Sequence, residues 1–396
     1  MTLELVDPAQ LGLSATRLQM LMSALQREVD RKRLPGAVAL VARHGKIALK
    51  SSVGFLNAAT GEPMHEDARF RIYSMTKPVV SVATMMLVEQ GLLVLADPLS
   101  KFLPEFAKQQ VYSQREGEPE LIAPLKAITI HDLLRHTAGM TYEFLGANAV
   151  HRQYGQLRFG ARDKTLAELT AQLAQVPLLF QPGTVFEYSR ATDVLGRVVE
   201  VVSGQSLPAF LDEHIFEPLG MRDTGFSVAP AFHGHIAEPF ARDPDGGMQM
   251  KVNDVRTEVA LASGSGGLVS TAADYARFLQ CMLGRGQFDD VQLLGPRTVD
   301  FMTTDHLGDI PVAATGSRNM LPPGHGFGLG FAVRKSLGAT AEPGSAGSYY
   351  WGGLAGTAFF VDPALDMFAC LMIQAPNQRD HYRALFRHLV YAAVND

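Results

Sequence analysis

The chain has 396 residues, a formal net charge of −5, and 47% hydrophobic against 19% charged residues. That length supports about two to three domains around a large buried core, and mild acidity without a basic run gives no electrostatic basis for nucleic acid or an anionic membrane as partner. Cys281 and Cys370 stand among apolar neighbours, as small core hydrophobes do. No apolar stretch reaches the ~18 residues a membrane span needs. Met1 to Gln10 carry Glu4, Asp7 and Pro8 instead of a signal-type apolar run, so the expected location is cytoplasmic.

Taken in order, Ser14 stands where it can cap a helix with Leu18, Leu21, Met22, Leu25 and Val29 on one face, ending near Leu34-Pro35-Gly36. Ala37 to Ala42 and Lys46 to Leu49 read as strands joined in a hairpin at His44-Gly45. A helix starting at or just before Ser74 runs through the nearly uncharged Val79 to Val88 and ends at Gly91. Asp97-Pro98-Leu99, Leu103-Pro104 and the polar Ser113 to Pro119 read as loops, and Ile130 to Arg135 and Leu166 to Gln175 as short helices. Thr192 to Ser203, closed by Gly204, and Ser206 to Phe216 are further helices.

After the loop-rich Pro230 to Val252, Thr271-Ala272-Ala273-Asp274 has the form of a capping box and opens a helix to about Leu283. Phe327 to Val333, Gly356 to Val361 and Met367 to Ile373 read as strands, and Gln378 to Val394 as an amphipathic helix. Strands near both ends with helices between them predict a discontinuous α/β sheet domain from residues 1–95 and 255–396. It is interrupted by a mostly helical domain over residues 96–254, with the active site between the two.

Chemistry concentrates in three stretches. In Ser74-Met75-Thr76-Lys77 a helical spacing of three places a hydroxyl beside an amine on one face. Serine needs such a base to become a nucleophile, and lysine serves only where burial or neighbouring charge keeps it neutral. In Gln181-Pro182-Gly183-Thr184-Val185-Phe186-Glu187-Tyr188-Ser189 a tight loop delivers a tyrosine able to share a proton with Lys77, the lysine lowering the phenol's pKa. In Tyr350-Trp351-Gly352-Gly353-Leu354-Ala355-Gly356 the glycines let backbone approach a substrate, and the Leu354 amide with that of Ser74 can form an oxyanion hole.

Ser74-Met75-Thr76-Lys77, Tyr188-Ser189-Arg190 and Trp351-Gly352-Gly353, in this order, resemble the S-x-x-K, Y-x-N and K-T-G elements of class C β-lactamases and DD-peptidases. The similarity is closer to the family VIII carboxylesterases, in which a Trp-Gly-Gly often forms the third element. His131-Asp132-Leu133-Leu134-Arg135-His136-Thr137-Ala138-Gly139, Pro218-Leu219-Gly220-Met221 and Gly266-Gly267-Leu268-Val269-Ser270-Thr271 fit the same pattern, and the likeness spans about residues 12 to 390. It implies a β-lactamase/transpeptidase-like fold, α/β plus all-α, with an antiparallel sheet flanked by helices and an inserted helical domain. It also implies Ser74 as acylated nucleophile, Lys77 and Tyr188 as the proton-handling pair, and the Ser74 and Leu354 amides as oxyanion donors. Trp351, Gly352, Gly353 and Arg190 would then contact substrate, with no metal or organic cofactor.

Two departures bear on substrate. Arg190 stands where lactamases place asparagine, and Trp351 where they place the lysine that receives a β-lactam carboxylate. An indole offers apolar surface in place of a cation, which favours neutral short- to medium-chain acyl esters over anionic lactams; Arg190 is a possible substitute anion site. The expected partner is therefore a small-molecule ester, with oligomeric state left open.

Other chemistries fare less well. Pro343-Gly344-Ser345-Ala346-Gly347 fails the Gly-x-Ser-x-Gly elbow of α/β-hydrolases at its first position, and Ser263-Gly264-Ser265-Gly266-Gly267 lacks the lysine of a phosphate loop. His233-Gly234-His235, and His131 with His136, show no metal-ligand pattern. A penicillin-fold binding module would have no chemical need for Ser74, Lys77 and Tyr188. β-Lactamase, D-aminopeptidase or DD-peptidase activity, and acyl transfer to an alcohol or amine, use the same acyl-enzyme and stay open.

Overall fold

A computed structural model describes residues 3–115 and 118–395. Its centre is an eight-stranded antiparallel sheet built from both ends of the chain. The strands are β1 (Gly36–Arg43), β2 (Lys46–Asn57), β3 (Glu62–Pro63), β4 (His325–Phe327), β5 (Ala332–Arg334), β6 (Tyr349–Gly352), β7 (Ala358–Asp362) and β8 (Met367–Ile373). Their spatial order is β4-β5-β6-β7-β8-β1-β2-β3. The two halves of the chain meet where β1 pairs with β8, from Ala37 opposite Ile373 to Arg43 opposite Met367.

Residues two apart share a face of a strand, and β1 is buried on both. Ala37, Ala39 and Val41 join Leu18, Leu21 and Leu25 of helix α1 (Ala15–Asp30) and Tyr382, Phe386 and Val390 of the C-terminal helix Arg379–Ala392 in one cluster. Val38, Leu40 and Ala42 point the other way, into the main core with Val79, Val80 and Ala83 of helix α2 (Thr76–Glu89). Double coverage explains why Ala37 to Ala42 is an unbroken apolar run.

The sequence readings hold for most elements and move at particular points. Ser14 caps α1, its Oγ accepting from Arg17 N at 3.3 Å. β2 runs on to Asn57, eight residues beyond Leu49, because it pairs with β1 as far as Gly54 and then with β3. Of the stretch Ser113 to Pro119, read as loop, residues 113–115 and 118–119 lie in the paired strands Val111–Arg115 and Glu118–Ile122, and residues 116–117 lie outside the described residues; its polar residues carry no apolar alternation to betray a strand. Phe327 to Val333 is two strands with a reversal between, where Gly330 takes φ 99°. The stretch Ser206 to Phe216 is a helix Leu207–Leu211 continued by a π-turn Asp212–Phe216.

Helix α2 begins at Thr76, two residues past Ser74. Pro78 fits its first turn, where a missing N–H breaks no helical bond. Helix α3 (Ala191–Ser203), closed by Gly204 at φ 73°, packs beside α2. Thr271 caps helix α4 (Ala272–Leu283), but the Asp274 carboxylate turns away from a capping box to accept from Asp223 N at 2.7 Å and Thr224 Oγ1 at 3.0 Å. Among the described residues no helix is long and apolar enough to cross a membrane.

Candidate active site

Phe70–Arg71 pairs with Val269–Ser270 and delivers the chain to a one-turn 3₁₀ segment, Tyr73–Met75. Tyr73 there takes φ 43°, a conformation that costs a bulky residue about 1–3 kcal/mol. Its phenol secures the turn by accepting a 2.8 Å hydrogen bond from Asn253 N. The strained turn presents Ser74 at the mouth of α2.

Lys77, one turn on, is buried, and its Nζ has three neighbours: Ser74 Oγ at 3.3 Å, Tyr142 Oη at 2.9 Å and Ser265 O at 2.6 Å. Burial drives its pKa well below the usual lysine range; Asp193 pulls the other way and Arg190 adds to the depression. A neutral amine has two N–H donors and one lone pair. Those three positions are matched if Lys77 donates to Ser265 O and Tyr142 Oη while Ser74 O–H donates to it.

Tyr188 approaches Ser74 from the other side. Burial pushes its phenol up to about 12, against the opposing hydrogen bonds of Ser74 and Trp351. The expected lowering by Lys77 is absent: burial dominates, and Nζ sits over the Tyr188 ring, 4.7 Å from its centroid, rather than on its hydroxyl. The phenol that Lys77 meets is Tyr142. Trp351 Nε1 donates to Tyr188 Oη at 3.3 Å. With Tyr188 protonated, the directions run consistently from Trp351 N–H to Tyr188, then Ser74, then Lys77.

Trp351 is buried against Tyr188, ring centroids 5.1 Å apart, and Phe327, 5.4 Å apart, so its N–H is better used than its apolar face. Gly352 and Gly353 follow at the end of β6. A Cβ on Gly353 would collide with Ile72 O and Thr357 Oγ1, so only glycine lets this turn lie against the approach to Ser74. A Cβ on Gly352 would meet the Arg383 guanidinium. Leu354 opens the turn closed by Gly356 N to Gly353 O at 3.0 Å.

Arg190 immediately precedes α3, and its guanidinium is held by Glu143 at 2.8 Å and Asp193 at 3.6 Å while lying over the rings of Phe159 at 3.7 Å and Tyr142 at 4.6 Å. Its charge is therefore balanced inside the wall. Asp193 also accepts from Ser263 Oγ at 2.6 Å and Ser265 N at 3.0 Å, fixing the carbonyl that Lys77 meets. Arg383 donates to Gly353 O and, at 3.2 Å, to Thr357 O.

Ser74, Lys77, Tyr188 and Trp351 thus form one contact cluster. Sequence reasoning missed Tyr142, Ser265, Asp193 and Glu187. Glu187 is a buried carboxylate accepting from Thr141 at 2.8 Å, Thr315 at 2.8 Å and Ser317 at 2.9 Å, which ties the segments carrying both phenols. Its position next to Tyr188 was the available signal; Tyr142, three residues past Gly139, had none.

The model of the Beta-lactamase family matches residues 21–392. Esterase EstB of Burkholderia gladioli is 35% identical over 391 residues, 94% of each chain. Protein Rv1367c of Mycobacterium tuberculosis is 36% identical over 355 residues, 88% of each chain. Among solved structures, EstCE1, described as a hydrolase with promiscuous acyltransferase activity, superposes with a TM-score of 0.78 at 28% identity, covering 95% of this chain and 98% of its own.

Proposed function

The chain belongs to the Beta-lactamase family as a serine hydrolase of the β-lactamase/transpeptidase-like fold, and from that premise we propose that it is a carboxylesterase cleaving short- to medium-chain acyl esters through an acyl-Ser74 intermediate. The observation that carries the reading is Ser74 Oγ set between a buried, proton-poor lysine and a protonated phenol.

In this reading Lys77 Nζ takes the Ser74 proton as Oγ bonds to the ester carbonyl carbon. The carbonyl oxygen becomes an oxyanion facing the Ser74 and Leu354 amides. As the C–O bond to the alcohol breaks, Tyr188 O–H gives the departing alkoxide its proton and is left as a phenolate beside the Lys77 ammonium. In deacylation the Tyr188 phenolate takes a proton from water as the water oxygen bonds to the acyl carbon, and Lys77 returns its proton to Ser74 Oγ as the acyl C–Oγ bond breaks, which restores both groups. The cleft lies between the sheet domain of residues 1–95 and 255–396 and the helical domain of residues 96–254: Ser74 and Lys77 come from the first range, Tyr142 and Tyr188 from the last, Trp351 and Leu354 from the second.

Preference for neutral esters rests on charge. Trp351 supplies no cation, Arg190 is paired with Glu143 and Asp193, and Arg383 gives hydrogen bonds to backbone carbonyls. Replacing Ser74 by Ala should lower turnover of p-nitrophenyl acetate by ~10³ or more, and intact mass should register the acyl adduct on wild type only. Wild-type rates in Ser74→Ala would end the proposal. The description of EstCE1 favours a second outcome for the same acyl-enzyme, transfer to an alcohol; product analysis with added alcohol separates it from hydrolysis.

A further inference from the structure

His233-Gly234-His235 has no part in the acyl chemistry, yet tertiary structure gives His235 two partners from far earlier in the chain. Arg69 N donates to His235 O at 2.7 Å and Ala237 N to Arg69 O at 2.9 Å, a short parallel pairing that sets the turn at residues 65–67 against His235. The His65 and His235 rings meet edge-on, centroids 4.8 Å apart. One ring nitrogen of each and a carboxylate oxygen of Asp67 all lie within 4.8 Å of one another.

We propose that His65, Asp67 and His235 form a binding site for one divalent transition-metal cation of the zinc type. His65 Nδ1 is 2.6 Å from Asp67 Oδ1, and His235 Nδ1 is 3.6 Å from Asp67 Oδ2. The second separation is too long for a hydrogen bond, and His235 Nδ1, shielded from solvent, has no hydrogen-bond partner among the described residues. Two ligand atoms on a tetrahedral zinc stand about 3.3 Å apart, given bonds of roughly 2.0–2.1 Å. The two contacts, to different oxygens of Asp67, bracket that spacing, and no ligand-atom pair of the trio is more than 4.8 Å apart, so side-chain shifts of up to roughly 1–1.5 Å, within rotamer freedom at a surface site, seat an ion.

Two imidazoles and one carboxylate suit zinc, cobalt, nickel or copper rather than the all-oxygen shells of calcium and magnesium. The two imidazoles are partly buried and Asp67 is exposed, which leaves the fourth position to water. The charge of neighbouring Arg69 is answered by Asp223 at 2.5 Å. A bound ion would staple the Pro230–His235 turn to the segment that runs through Phe70–Arg71 into Ser74, making this a structural or regulatory site apart from the reacting atoms.

The test is calorimetric titration of the full chain, stripped with chelator, with Zn2+, paired with native mass spectrometry. One equivalent should bind, and saturating Zn2+ should raise the melting temperature. His235→Ala and Asp67→Asn, each checked by circular dichroism, should weaken binding about tenfold or more, while His233→Ala should bind as wild type does. Absence of stoichiometric binding, unchanged affinity in both ligand variants, or equal loss in His233→Ala would overturn the assignment.

Discussion

Tyr142→Phe isolates the contact between Lys77 and its phenol. The ring is held by Phe144, stacked at 4.9 Å, by Tyr188 at 5.2 Å and by Arg190, all of which phenylalanine keeps. What disappears is Oη, 2.9 Å from Nζ. A hydrogen bond between neutral groups contributes about 1 kcal/mol and one to a charged group about 2–3 kcal/mol, so the loss costs the ammonium about 1–2 kcal/mol more than the amine. At roughly 1.4 kcal/mol per pKa unit, the already depressed Lys77 pKa falls by about one further unit. The amine is the base, so activity is lost as pH falls through that pKa, and the acid limb of kcat/KM moves down by about one unit. On the plateau, acylation slows roughly 5- to 30-fold, because Nζ gains its proton in the transition state without the phenol's support. The assay is kcat/KM for p-nitrophenyl butyrate against pH. A limb that stays in place or moves up in a folded variant refutes the neutral amine as the resting state.

In the wild type the phenol of Tyr188, pushed up to about 12 by burial, stays protonated across the ordinary alkaline range, so kcat/KM should show no fall attributable to it below that pH. Tyr188→Phe should lower kcat by ~10²–10⁴, the usual contribution of a positioned proton donor, whereas unchanged single-turnover rates would reduce Tyr188 to packing. Trp351→Phe removes the N–H that reaches Tyr188 together with part of the ring packed on Tyr188 and Phe327, and should cost kcat about tenfold or more, ~1–1.5 kcal/mol of it from the lost hydrogen bond. Glu187→Ala leaves Thr141, Thr315 and Ser317 without their acceptor and should lower stability by about 1–3 kcal/mol in urea denaturation, with Glu187→Gln recovering part of it.

The sequence alone carried the middle of the sheet, because β1 and β8 are apolar runs bounded by turn residues and the flanking helices keep an apolar face at helical spacing; β3 and β6, short and without such a run, were not legible as strands, and β4 and β5 read as one. It also carried the Ser74–Lys77 pair, since a three-residue helical offset fixes those side chains as neighbours whatever the rest of the chain does. Local pattern likewise fixed the start of α1 at Ser14 and the end of α3 at Gly204, although α1 stops at Asp30, short of the expected Leu34-Pro35-Gly36.

Tertiary structure decided what pattern could not encode. That the Lys77 pKa is driven well below the usual lysine range follows from the core closing around it, that its phenol is Tyr142 from a loop folding onto α2, and that Trp351 serves Tyr188 from β6 reaching it. His65 and His235 became neighbours in the same way, through a pairing at Arg69. Spacing along a helix or strand is set by backbone geometry and is readable from order alone; a pKa, a hydrogen-bond partner or a ligand set depends on which distant groups exclude water together, and only the folded chain brings those groups into contact.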